Sequence, residues 1–206
     1  MQTEEYWQGS EGDAYTERQT LSMDARKSML IRALGVPLKK IGGLIEFGAN
    51  DGSNLRACRA IAPSMILAGV EINDVAYERM KAVADFAFRG SMLDYLGVGA
   101  GEMRDLYTWD VSMTRGVLIH IAPVDLPKAY ETLYRSSTRY ICITEYYSPK
   151  PRMIPYRGKD NLLWARDFAG EMMDLYPLKL VDYFFTYHRD PQYPQDDVTT
   201  FVLERK

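Results

Sequence analysis

The chain has 206 residues, 47% of them hydrophobic, with 25 basic and 28 acidic residues and a formal net charge of −3. That length accommodates one domain with a full core, and the slightly acidic balance leaves no electrostatic footprint for non-specific nucleic-acid binding. No apolar run approaches the ~18 residues that cross a bilayer, and the opening MQTEEYWQGSEGD is not a signal peptide, so a cytoplasmic protein is expected.

Residues 1 to 12 are polar apart from Tyr6 and Trp7. Residues 13 to 34 then carry apolar side chains in a loosely helical pattern ended by Gly35-Val36-Pro37, which predicts one helix ahead of the first strand. Tyr6, Trp7, Tyr15 and Arg18 are more side chain than a linker needs. They fit residues 1–35 either as a lid and helix segment beside a ligand or, equally, as a helix packed on the sheet edge. Leu44, Ile45 and Phe47 form a short apolar run that stops at Gly48-Ala49-Asn50-Asp51-Gly52, after which Leu55, Cys58, Ile61 and Ala62 recur at helical spacing. This is a strand feeding a helix through a tight turn. Glycines at both ends of the turn permit positive φ and close approach of a ligand, while the free amides of the helix start face the same space. A second strand, residues 65 to 70, closes on Glu71, 19 residues after Gly52.

Asp74 is expected to cap a helix running to Val83, and Phe86-Ala87-Phe88 forms a third strand ending at Gly90-Ser91-Met92-Leu93-Asp94. Residues 97 to 106 hold three glycines and then a short helix, and residues 111 to 121 read as the fourth strand and its exit, with His120 near the end. Asp125-Leu126-Pro127 opens a helix with a capping aspartate and a proline in its first turn. The fifth strand, residues 140 to 144, runs into Glu145-Tyr146, and residues 161 to 176 are predicted helical. Two last strands, residues 178 to 187 and 198 to 203, flank a loop containing His188, Asp190 and Asp197, long enough for an antiparallel hairpin. Cys58 and Cys142 lack metal-ligand spacing and read as buried thiols. The two isolated histidines do not suggest a metal site.

Five strand–helix units give a Rossmann-like α/β core over residues 41–206, and ligands of such sheets bind at the carboxyl ends of the strands. A dinucleotide fingerprint reads GxGxxG after an apolar residue, whereas here the spacing is Gly48-x-x-x-Gly52 with Glu46 two residues ahead. A carboxylate there repels a pyrophosphate and suits a ligand bearing an amino group and a sulfonium. The turn favours S-adenosylmethionine over NAD, with Glu71 placed to accept from both ribose hydroxyls.

The layout resembles the class I S-adenosylmethionine-dependent methyltransferases, which implies a single domain with a seven-stranded sheet, the last strand antiparallel and helices on both faces. More closely, the strings YWQGSEGDAYTER, IEFGANDGSNLRA, GVEIN, RGVLIHIAP, ITEYYSPKP, YRGKDNLLWARDFAGEM and LVDYFFTYHRDPQYPQDDVTTF are similar to the pseudaminic acid biosynthesis-associated methylases. That resemblance implies Glu46, Gly48 and Asn50 around the methionine part of the cofactor, Glu71 at the ribose, and Ser91 with Met92 at the adenine. Gly52, at the far end of the glycine turn, is also a cofactor-binding candidate. The chain departs from that family's pattern at Gln19, Asp51, Arg115 and Thr200.

The leading expectation is therefore a methyltransferase acting on an amine or hydroxyl of a small polar metabolite, with sugars or sugar-like compounds as candidates. His120, Glu145 and Tyr146 are the candidate catalytic groups, and Arg157, His188, Asp190 and Asp197 the candidate substrate-binding groups. An NAD-linked oxidoreductase and a non-catalytic binding module of the same fold are the alternatives.

Overall fold

The computed structural model describes residues 2–18, 20–35, 41–96 and 109–206. The glycine-rich stretch and short helix expected at 97–106, and Gln19, lie outside the described residues.

A seven-stranded sheet forms the centre, from β1 (Gly43–Phe47), β2 (Ile66–Glu71), β3 (Phe86–Arg89), β4 (Trp109–Arg115), β5 (Ser137–Glu145), β8 (Leu178–Phe185) and β9 (Thr199–Arg205). The strand order is β3-β2-β1-β4-β5-β9-β8. Neighbours from β3 to β5 are parallel, while β9 is antiparallel to both β5 and β8. The inner strands alternate their side chains between two cores. Ile45, Ile141, Ile143 and Leu203 point to the face covered by α6 (Leu126–Ser136) and α7 (Phe168–Leu175). Leu44, Met113, Cys142 and Val202 point to the face covered by α3 (Met23–Leu34) and α4 (Ser53–Ile61). Both cysteines are free and buried. Among the described residues, no helix is long and apolar enough to cross a membrane.

The turn after β1 forms as its glycines require. Gly48 has φ 67°, Asn50 φ 48° and Gly52 φ 77°, the left-handed conformations that glycine and asparagine tolerate best. Asp51 braces the start of α4 by accepting from the Ser53 amide at 3.0 Å and the Ser53 hydroxyl at 2.9 Å, an Asx-type turn. At the far end of the sheet Asp110 accepts from the amides of Gly42 at 2.5 Å and Gly43 at 3.2 Å. It fixes where β1 begins.

Several expected elements differ. The opening is helical, α1 (Gln2–Gln8) and α2 (Ser10–Glu17), and the single helix expected over 13–34 is two. Its break comes from Ser22, whose hydroxyl accepts from the Ala25 amide at 3.1 Å and restarts the chain as α3. The cap of α5 (Asp74–Lys81) is Asn73, whose Oδ1 accepts from the Ala76 amide, and Asp74 instead pairs with Arg89. Asp125 makes no side-chain cap bond to α6. The helix expected over 161–176 shrinks to α7, because β7 (Trp164–Ala165) pairs with β6 (Arg152–Met153) and Asp167 caps the helix only after that.

Candidate active site

The carboxyl ends of β1, β2, β3 and β4 open into a cavity of about 110 Å³. Its floor is the Gly48 turn with Asn50, Glu71 and Asn73, continuing to Ser91 and Met92 beyond β3. One wall is Gly116, Val117, His120 and Ile121, the segment that leaves β4. The roof is the amino-terminal pair of helices, through Thr3, Trp7, Gly12, Tyr15 and Thr16. A second chamber of about 50 Å³ adjoins it, sharing Tyr15, Gly48, Asn50 and Gly116 and adding the side chains of Arg26, Asn54 and Arg115. One chamber is mainly apolar and the other carries two guanidinium groups.

Glu71 is the fixed point of the floor. Its Oε2 accepts from the Asn50 amide at 2.7 Å and its Oε1 from the Asn73 amide at 2.8 Å. Burial raises its pKa, and these amide bonds oppose the rise. The Ile72 amide also interacts with this carboxylate, and with about four lone-pair sites in all the group retains acceptor capacity for a ligand.

The roof is tied down by specific polar bonds. Asn73 Nδ2 donates to the Trp7 carbonyl at 3.2 Å and to Asp13 Oδ1 at 2.8 Å. The Thr16 hydroxyl donates to Asn50 Oδ1 at 2.8 Å, and Arg79 pairs with Glu17. Gly12 sits where α2 meets the Trp7 backbone, and a Cβ there would collide with the Trp7 carbonyl. The Trp7 ring packs edge-on against Tyr6 and Tyr15, with centroids 5.3 and 5.4 Å away, and lies 4.5 Å from the His120 ring. Two buried donors that line the cavity, Trp7 Nε1 and Asn50 Nδ2, have no hydrogen-bond partner among the described residues. Such groups cost stability unless a ligand or water satisfies them.

His120 has a defined tautomer. Its Nδ1 lies 2.6 Å from the Leu162 carbonyl oxygen, which can only accept, so Nδ1 carries the proton and Nε2 keeps its lone pair. Burial lowers its pKa to about 4, against the opposing effect of the Leu162 bond. The ring is neutral at physiological pH.

No protein-family model and no curated protein matches the chain. Solved structures do. A SAM-dependent methyltransferase from Leishmania major superposes with a TM-score of 0.67 at 15% identity, covering 99% of this chain and 82% of that one. The sugar N-methyltransferase from Streptoalloteichus gives 0.66 at 12%, covering 95% and 92%. Magnesium protoporphyrin IX methyltransferase from Synechocystis with bound SAM gives 0.66 at 11%, covering 98% and 95%. The chain has the class I methyltransferase fold. At these identities the likeness speaks for the fold alone.

Of the residues expected around a cofactor, Gly48, Asn50, Glu71, Ser91 and Met92 line the main cavity together. Gly48 is held more tightly than the turn alone requires, since a Cβ there would lie 2.5 Å from Val117 Cγ2. Gly52 starts α4 behind the turn and lines neither chamber; an added Cβ there would approach the Met80 backbone at 3.2 Å. Glu46 also lines neither, correcting its expected direct contact. It is 1% exposed beneath the second chamber, where its Oε1 accepts from Asn54 Nδ2 at 2.6 Å. Asn54 Oδ1 in turn accepts from Arg26 at 2.7 Å. Arg26 and Asn54 were missed in sequence because nothing but the fold brings α3 onto the start of α4.

Among the catalytic candidates only His120 lines the cavity. Glu145 is a correction. It is buried, accepting from the amides of Val117 and Leu118 at 3.1 Å and Ile119 at 3.4 Å, so it builds the 3-10 turn that carries His120. Tyr146 is half-buried off the cavity, with Asp196, Tyr15, Tyr156 and Asp197 as electrostatic neighbours that add to the effect of burial in raising its pKa. Trp7 and Tyr15 line the roof, while Arg18 is the exposed end of α2. The four substrate candidates lie outside the cavity. Arg157 is 4.0 Å from Glu11 Oε2, His188 binds Asp197 at 2.8 Å, and Asp190 accepts from the amides of Gln192 and Tyr193 to shape its own turn. Arg166 binds Glu171 at 2.8 Å.

Burial raises the Glu46 pKa to about 7, with the Asn54 bond, Arg26 and Arg115 opposing the rise. The folded chain therefore keeps a proton that the unfolded chain releases above its ordinary pKa of about 4.5, and stability falls as pH climbs from there to about 7, then levels. Glu46→Gln should remove this slope. The stability difference, measured by urea denaturation near pH 5 and pH 8, should move toward the variant by up to about 3 kcal/mol; a pH-independent difference would show that Glu46 titrates normally.

Proposed function

We propose that the chain is an S-adenosylmethionine-dependent methyltransferase that acts on an amine or hydroxyl of a small polar metabolite. The observation that carries this reading is the pairing of an apolar cavity bearing Glu71 with a polar chamber bearing Arg26 and Arg115. The two environments match the adenosine and amino-acid halves of that cofactor. In this reading Glu71 holds the ribose with its remaining acceptor capacity, and Ser91 and Met92 meet the adenine. Gly48 and Asn50 flank the methionine portion, and Arg26 and Arg115 take its carboxylate. Glu46 acts one step removed, by orienting Asn54 and thereby Arg26. The unpartnered Asn50 Nδ2 is one donor a ligand would satisfy. When bound, the cofactor supplies a methyl group activated by a sulfonium.

Alignment of the acceptor on that methyl group accounts for much of the expected acceleration, on the order of 7 kcal/mol or more. The residues Tyr15, Tyr146 and Tyr156, with Asp196 and Asp197 near Tyr146, would form the acceptor vestibule, with Arg157, His188 and Asp190 farther along the rim. Their chemistry suits an amine or a polyhydroxylated ring. A sugar-like acceptor is the class that the motif resemblance implies; no family model matches to support it, and the structural neighbours include a sugar N-methyltransferase beside enzymes of other acceptors.

Binding of the cofactor product tests the reading against an NAD enzyme. S-adenosylhomocysteine should raise the melting temperature and NAD should not, since a ligand specific to the native state adds about 2.7 kcal/mol at one hundred times its Kd. Glu71→Gln should weaken S-adenosylhomocysteine by about tenfold or more in calorimetry. A shift with NAD alone would sink the proposal, and turnover of labelled cofactor on a metabolite panel separates an enzyme from a binding module.

In this reading His120, which lines the cavity, would take the acceptor proton at Nε2. With a pKa near 4, it is in its base form across neutral pH, and it is matched to the strongly acidic oxonium that a hydroxyl acceptor becomes on forming its new bond to carbon rather than to an alkylammonium. His120→Asn should lower turnover about a hundredfold with S-adenosylhomocysteine affinity within about threefold of wild type. Turnover kept within about threefold would leave positioning alone as the source of rate.

The two amino-terminal helices would act as a lid that closes over the ligand and excludes water. Proteolysis near Gly9 or Gly12 should slow several-fold when S-adenosylhomocysteine is added; equal cleavage rates would make these helices a passive wall.

A further inference from the structure

The outer end of the sheet is unlike the rest of the surface. Among the described residues β8 bonds only to β9, and five consecutive residues, Lys179 to Tyr183, are exposed. An open edge of this kind templates pairing with another strand, and natural proteins guard it with charges and bulges. Both guards are present in β8. Leu180 stands opposite Leu203 and Asp182 opposite Val202, so Val181 is an extra residue in the strand.

The bulge changes which side chains share a face. In a regular strand Lys179 and Asp182, three residues apart, would face opposite sides of the sheet. Here Lys179 stands opposite Glu204 and Asp182 opposite Val202, two residues apart on β9, so the two charges lie on the same face. Leu178, Leu180 and Tyr183 stand opposite Arg205, Leu203 and Phe201 and occupy the other face. Tyr183 is 62% exposed there and stacks on Phe201 with centroids 6.2 Å apart.

We propose that β8 pairs with β8 of a second copy of this chain, antiparallel about a two-fold axis between Leu180 and Val181, extending the sheet across the dimer. Directly opposed residues of an antiparallel pair point to the same face. About this axis Lys179 of each copy meets Asp182 of the other on one face, and Leu178 meets Tyr183 on the other face. The Asp182 carboxylate accepts from the Tyr183 amide of its own chain at 2.8 Å and has its other oxygen for the lysine. Without the bulge this register would bring opposite faces together. The same charges that repel an unrelated apolar strand become two complementary pairs only when the partner is the same strand reversed. The opposite edge, β3, spans only Phe86–Arg89, and Arg89 is engaged by Asp74.

Sedimentation velocity with mass determination tests this on the full chain at about 100 μM, which populates any dimer with a micromolar Kd. The wild type should sediment as a dimer. Lys179→Asp and Asp182→Lys each place like charges opposite one another twice and should raise the dimer Kd about tenfold or more. The combined Lys179→Asp, Asp182→Lys variant restores complementarity in reverse and should recover the wild-type Kd to within about threefold. Both residues are exposed, so unchanged circular dichroism spectra are expected for all three variants. Melting temperatures are compared at a concentration where every variant is monomeric, and there the two variants carrying Lys179→Asp should fall slightly, because the new carboxylate would face Glu204. A wild type that sediments as a monomer overturns the pairing. So does a dimer indifferent to the single reversals, or one that the double reversal fails to restore.

Discussion

The site depends on one carboxylate accepting two backbone amides. Glu71 at the end of β2 binds the Asn50 amide of the turn after β1 and the Asn73 amide that starts α5. The turn after β1 and the junction of β2 with α5, about twenty residues apart in sequence, are thereby held at fixed spacing around the mouth of the parallel sheet. Asn73 extends the node upward, since its side chain holds both Trp7 and Asp13 of the roof. A buried carboxylate of this kind is stable only while its donors stay in place. Its geometry and that of the cavity floor are therefore the same constraint.

A second polar system lies beneath the other chamber. Arg26 reaches Glu46 through Asn54 rather than directly. An intervening amide lets two buried groups of opposite character share hydrogen bonds without demanding a fully formed ion pair, whose desolvation would be costly. Burial accordingly raises the Glu46 pKa and lowers that of Arg26. The arrangement presents the guanidinium toward the chamber and keeps the acid out of it.

Much of the fold was legible because its signals are local. Apolar runs ending in Gly48 or Glu71, and the proline in the first turn after Leu126, depend on neighbours within a few residues. The floor of the site was legible for the same reason, since Gly48, Asn50 and Glu71 sit at strand ends by the logic of the parallel sheet. What could not be read is what depends on packing between distant segments. Glu145 has the composition of a catalytic acid at a strand end, yet three amides of the adjoining turn occupy it. Asn73 and Asp74 are both capable caps, and only the claim of Arg89 on Asp74 separates them. Trp164 and Ala165 continue a helical pattern, and it is the pairing with Arg152 and Met153 that makes them a strand.

The exposed ion pair between Arg79 and Glu17 touches neither chamber, but it joins α5 to the roof. Ligand affinity includes the fraction of molecules already in the binding-competent arrangement. If the roof closes over the ligand as proposed, residues that only set how often it is docked enter the dissociation constant as surely as those that contact the ligand. The outer surface of α2 and α5 is thus a place where affinity is adjustable in small steps, with the chemistry inside left as it is.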